Sequence, residues 1–283
     1  MSHGPRIRPV GFSAGFRWLP SAADMMFSGL GPMTGVASLW LLVSLLAMVI
    51  PVLGQIILVL FTPLLTAGVL ATFDILAARR RPHPFTLFAG WQDPVRRGGL
   101  LLIGSFSLVG SMLAALVLVG WMSSQVDMAQ LEAAMASPET LAQTLSGVSV
   151  GGGLILAALL FSLVLAAIYF AIPLVMFDRW PTIRALTTSL KAVLINWAAF
   201  LGFGLAFLIF AAAVGLILVL VVSVISLALG QFGLFLSQVI FLLVTMFVQV
   251  LMAGTQYVAF CQIFGWSPET EPPGPSNDEE IMA

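Results

Sequence analysis

A chain of 283 residues in which 60% are hydrophobic and only 8% are charged cannot hide its apolar surface inside a soluble core, since soluble domains carry about 25% charged residues. Its solvent is lipid, which makes it an integral membrane protein of the all-α class. The net charge of −1 says little about partners, because in such a protein the position of each charge carries the information.

The basic N-terminal stretch "MSHGPRIRPVGFSAGFRWLPSAADMMFSG" lacks an uninterrupted apolar core before a small-residue cleavage site, so it is not expected to be a removed signal peptide. Phe12, Phe16, Leu19, Ala23 and Met26 recur there at helical spacing, predicting a short helix in the headgroup plane. From Val36 to Ala77 the only charge is Asp74. That run exceeds one crossing of about 20 residues, and "IPVLGQ" supplies the turn. Two spans result, at about 34–50 and 55–77. A basic loop, "RRRPHPFTLFAGWQDPVRRGG", leads to a third span near 100–122.

The connection after it carries only Asp127, Glu132 and Glu139, and its "DMAQLEAAMASPETLAQTL" predicts one or two short helices broken at Pro138. A fourth span covers about 154–177. In "PTIRALTTSLKAVLINW", Ile183, Leu186, Leu190, Val193, Leu194 and Trp197 form one helical face opposite Arg184, Thr188 and Lys191, so a second interfacial helix is expected. Trp197 to Phe264 is again uncharged and too long for one crossing. "LGQFG" divides it into spans near 197–228 and 233–262. The tail "SPETEPPGPSNDEEIMA" reads as disordered. The expected organisation is one transmembrane domain, 1–265, with six transmembrane helices and short interfacial helices, followed by an acidic tail, 266–283.

All eleven Lys and Arg residues fall before span one, between spans two and three, or between spans four and five. Six crossings place all three segments on one side, which the positive-inside rule makes cytoplasmic, together with both termini.

Catalytic chemistry is sought without success. His3 and His83 lie outside the spans and match no metal-ligand spacing. Ser105, Ser107 and Ser111 share span three with no base, and no span holds paired acids. Cys261 is the single cysteine, read as a packed thiol. No catalytic residue, metal or cofactor is expected. Asp74 and Asp178, near span ends, are expected to pair with adjacent arginines.

Two features remain. Arg79, Arg80, Arg81, Arg96 and Arg97, joined by Arg184 and Lys191, are candidates for contact with anionic lipid, each cation near the surface contributing about 1 kcal/mol. Their plainer role is to fix topology, and nucleic acid is not an expected partner. Gln231, Gln238, Thr245, Gln249 and Gln256 project within about 40° of one another on a helix. A lipid-facing amide is costly, so this stripe is expected to point into the bundle, either bonding other helices or lining a polar groove. Gly104, Ser107, Ser111 and Ala115 form a small-residue stripe, and Gly202, Gly204 and Gly215 soften span five. Pro63 and Pro173 are expected to kink their spans and free carbonyls for Ser or Gln side chains.

"AIPLVMFDRWPTIRALTTSLKAVLINWAAFLGF" with "RRRPHPFTLFAGW", and within them the "IPLVMFD" span end, Ser189 and Asn196, resembles an uncharacterised family of proteobacterial six-helix inner-membrane proteins. That family is distantly similar to the membrane domain accompanying some glycerophosphodiester phosphodiesterases. The resemblance implies location and architecture and leaves activity open. The expected function is a non-enzymatic inner-membrane component that handles lipid or amphiphile, or an accessory scaffold. Membrane lipids and other membrane proteins are the expected partners. A secondary transporter of a small neutral solute is the alternative.

Overall fold

The computed structural model describes residues 7–124 and 150–268. The acidic loop with its expected helices, and the tail from 269, lie outside the described residues. Among those residues every regular element is helical, as a chain in lipid requires when it must satisfy its own backbone. Five segments are long and apolar enough to cross a membrane. The protein is therefore an all-α, multi-pass membrane protein.

α1 (Phe12–Ser28) buries Ala14, Gly15, Trp18, Leu19, Ala22 and Met26. Phe12 and Phe16 are 46% and 40% exposed, so the side that packs on the bundle is turned away from them. The reason is close packing. A methyl on Gly15 would collide with the Ala199 carbonyl, and one on Gly202 with that of Phe12. Lipid tails accept a phenyl ring as readily as a protein core does, so packing of small residues decides which side faces in. Gly202 thus serves contact, whereas Gly204 and Gly215 meet nothing within 4 Å.

α2 (Leu30–Met48) and α3 (Leu53–Ala77) form a hairpin. Its turn carries Val52 at φ 63°, and Gly54 is seated against the Ala47 carbonyl. Pro63 stays within a continuous α3, and Leu64 to Leu70 are buried. A 3-10 turn (Pro84–Phe88) and a single helical turn (Ala89–Gln92) lie over α3, where Gly68 abuts the Leu87 carbonyl.

α4 (Pro94–Ser123) starts at Asp93, whose Oδ1 accepts from the Val95 N–H at 2.9 Å, with Pro94 at the first helical position. Of the expected stripe, Gly104 lies against Leu60, while Ala115 is exposed and Ser111 bonds the Ser107 carbonyl. Gly110, packed on Val164, and buried Ala114 continue the contact instead.

α5 (Val150–Tyr169) and α6 (Ala171–Met176) make one membrane-length segment broken at Phe170. α7 (Thr182–Ile195) buries Ala185, Ser189 and Ala192. Of the apolar face expected of an interfacial helix, Ile183, Leu194 and Trp197 are 79%, 58% and 63% exposed, open to lipid. As in α1, the small side faces inward.

α8 (Trp197–Phe264) spans 68 residues and is interrupted at Gly230, whose φ 55° and ψ −128° are non-helical. Gly233 sits on the Ile225 carbonyl, and Phe210 and Leu218 of the first arm face Val248 and Val244 of the second. The two arms, 197–229 and 231–264, therefore run antiparallel. The densest core (Trp18, Phe73, Phe170, Tyr257, Phe260) gathers at the arginine-bearing end of the molecule.

Candidate functional site

The glutamine stripe divides in two. Gln256 is buried, but Gln231, Gln238, Thr245 and Gln249 are exposed, Thr245 at the edge of the recess between the two arms. The inward aim expected of the whole row holds at Gln256 alone. Higher up, the second arm buries Met246 and Val250 toward the bundle, so the glutamine line is left on the outside. Thr245 satisfies its hydroxyl on its own helix, donating to the Phe241 carbonyl at 2.8 Å. Among the described residues these five line no common groove.

Gln256 instead mends a backbone. Pro173 has no N–H, so the carbonyl four residues earlier, that of Tyr169, loses its helical donor. The Gln256 side-chain amide donates to that carbonyl. One residue further, Ser189 of α7 completes the repair. Its hydroxyl accepts from the Phe170 N–H at 2.8 Å and donates to the Ala166 carbonyl at 2.7 Å, standing between two groups that would bond each other in an unbroken helix. Asn196 works similarly at the end of α7. Its Oδ1 accepts from the Val10 N–H at 2.7 Å and its Nδ2 donates to the Ala192 carbonyl at 2.9 Å.

Asp74 is the polar centre of the arginine-bearing end. Its Oδ1 accepts from the Tyr257 hydroxyl at 2.9 Å and from the Trp266 indole N–H at 2.8 Å. Trp266 follows Gly265, whose φ of 70° ends α8 in the left-handed region, and stacks on Phe177 with ring centroids 5.0 Å apart. No ion pair joins Asp74 or Asp178 to an arginine among the described residues; the expected pairings are corrected. Arg79 leaves the helix at φ 59°, and Arg79, Arg80 and Arg81 stay exposed. The acid that meets arginines is Asp93. Its Oδ2 lies 3.1 Å from Arg179 and 3.5 Å from Arg96 Nε, which joins the two basic connections. The Val95 N–H, followed by desolvation acting the other way and then by Arg179, holds the Asp93 carboxyl below its usual range. Partial burial pushes Asp178 up.

Two cavities flank Trp266. The first, of about 750 Å3, opens beside Arg17, Asp24, Cys261 and Gln262. Gln262 is held by the Trp18 indole N–H at 2.7 Å. The second, of about 650 Å3, gathers Arg80, His83, Thr86, Gln92 and Arg96 around the Asp74 wall. Arg96 is half-buried there, and its Nε, closed off from the cavity, faces the Asp93 carboxylate. Of the seven candidate lipid-contact residues, the fold thus brings Arg80 and Arg96 into one cavity. Arg79, Arg80 and Arg81 line a separate basic recess of about 600 Å3 beside Ser28 and Pro32. Arg97, Arg184 and Lys191 are exposed, Arg184 lying 4.1 Å above the Trp180 ring.

No protein-family model, curated protein or solved structure matches this chain. The site is therefore read from its own geometry. Among the described residues no group of three His, Cys, Asp or Glu could hold a metal ion. The arrangement offers cations and hydrogen-bond donors around water-accessible space beside an apolar bundle, which suits binding of a phosphate-bearing amphiphile. Asp93 and Trp266 are contributors that sequence reasoning missed. "WQDP", an Asp before a Pro at a helix start, was the signal for the first. The Gly265–Trp266 pair past the last span was the signal for the second.

Proposed function

We propose that this chain is a non-enzymatic protein of a bacterial cytoplasmic membrane that holds an anionic phospholipid headgroup, or an amphiphile bearing one, at its cytoplasmic side. Counting the two arms of α8 separately gives six crossings. All three cation-bearing connections then share one side, made cytoplasmic by the positive-inside rule, with both termini beside them.

One observation carries the reading. Arg80, His83 and Arg96 converge on a cavity of about 650 Å3. A phosphodiester there offers acceptors to these donors, and its negative charge is favoured by about 1 kcal/mol per cation at a membrane surface. The Asp74 oxygen most engaged in the wall is already occupied by Tyr257 and Trp266, so it competes less for the arginines. Phe85, 61% exposed at the cavity rim, provides an apolar surface for the lipid body.

Native mass spectrometry of the protein extracted with its lipids tests this. The wild type is expected to retain phosphatidylglycerol or cardiolipin, and an Arg80→Gln/Arg96→Gln variant to lose most of it. Equal retention by both proteins, or no retained anionic lipid on the wild type, contradicts the reading. A secondary transporter of a small neutral solute is a second reading, favoured by the break at Phe170, since interrupted helices surround many transport sites. Solute uptake into proteoliposomes that depends on Ser189 would support it.

A further inference from the structure

We propose that the outer face of the second arm of α8 is an interface between two copies of this chain, with Gln238 and Gln249 as its polar contacts. Both amides are exposed, and neither makes a hydrogen bond among the described residues. Leu234 and Phe241, exposed by 62% and 58%, flank them.

Depth makes the exposure significant. Tyr257 reaches Asp74 near the arginine-bearing end, and Gly230 marks the opposite turn. At 1.5 Å per residue, Gln249 lies roughly 12 Å from Tyr257 along the arm, inside a hydrocarbon layer of about 30 Å. Lipid tails have neither donor nor acceptor for an amide, so protein must cover it.

The chemistry selects a second copy. A carboxamide carries two donors and an acceptor, so a two-fold-related copy presents the complementary groups at the same level. Gln231, Gln238 and Thr245 recur every seven residues, the spacing that keeps one seam between two supercoiled helices. Thr245 has already used its hydroxyl on Phe241, so it contributes a small side chain that allows close approach. Toward the arginine-bearing end the line closes where Gln256 is bound to Tyr169, which bounds the interface. This face is separate from the headgroup cavity, and the inference does not depend on it.

Full-length protein reconstituted in phosphatidylcholine vesicles at high lipid excess tests this. Cys261 is the single native cysteine, so each variant is built on Cys261→Ser. Oxidation is expected to yield disulfide-linked dimers from Gln249→Cys and none from Leu208→Cys, a residue 66% exposed on the first arm. In the native-cysteine background, Gln238→Leu/Gln249→Leu is expected to raise the dimer dissociation constant by about tenfold or more, read from dimer fraction over a dilution series in lipid. Lipid-facing leucines should leave folding intact, and the tryptophan fluorescence spectrum checks that. Crosslinking no stronger at Gln249→Cys than at Leu208→Cys, or unchanged dissociation in the double leucine variant, overturns the proposal, as does a monomeric wild type.

Discussion

Ser189 and Gln256 stand where the peptide chain cannot complete its own hydrogen bonds, and their side chains stand in for the missing helical partners. Removing either leaves buried backbone groups unpaired, which costs about 1–3 kcal/mol. Ser189→Ala and Gln256→Leu are each expected to lower unfolding stability by that order in detergent, measured by thermal or denaturant unfolding. Gln249→Leu, on the exposed part of the same helix line, is expected to leave monomer stability within about 0.5 kcal/mol of wild type. Equal losses at Gln256 and Gln249 would mean that the stripe acts as one buried surface. The sequence made half of this legible. Pro173 announces a carbonyl without a donor, but the side chain that answers it lies 87 residues away from Tyr169, and no local pattern names it.

At the level of elements, the existence of α1 and α7 was legible from helical periodicity, while their inward faces were not. Phe12, Phe16, Ile183 and Leu194 mark the apolar side of an interfacial helix, which turns toward lipid and not toward protein. In lipid they need not hide, and the sides holding Gly15, Ala22, Ala185 and Ser189 pack inward instead. Gly15 has no space toward Ala199. Gly15→Val is therefore expected to push α1 off the start of α8, costing about 1–3 kcal/mol as overpacking. It should also shift the emission of Trp18, now 1% exposed, to longer wavelength. An unshifted spectrum at unchanged stability would contradict the packing described. The turn at Gly230 was legible for a simpler reason: "LGQFG" interrupts a run too long for the bilayer, and a glycine accepts its positive φ.

Across the whole molecule, composition sufficed for the membrane class, and the clustering of cations suggested one basic side. What the sequence could not convey is which arginines share a cavity. Arg80 and Arg96 are separated by the 3-10 turn and the following helical turn, and they meet because that segment folds back over α3. Nor was Trp266 visible as the partition between two cavities, since its position depends on Asp74, 192 residues earlier. A lipid bound in the basic cavity must stabilise the fold, by about 2.7 kcal/mol when lipid stands at 100 times its dissociation constant. The most direct measurement is the thermal unfolding midpoint in nanodiscs made with and without phosphatidylglycerol. The predicted result is a rise of several degrees for the wild type and for Arg97→Gln, whose arginine lies outside the cavity, with little or none for Arg80→Gln/Arg96→Gln. The same rise in all three proteins would contradict the assignment, because the lipid would then be acting somewhere other than this cavity.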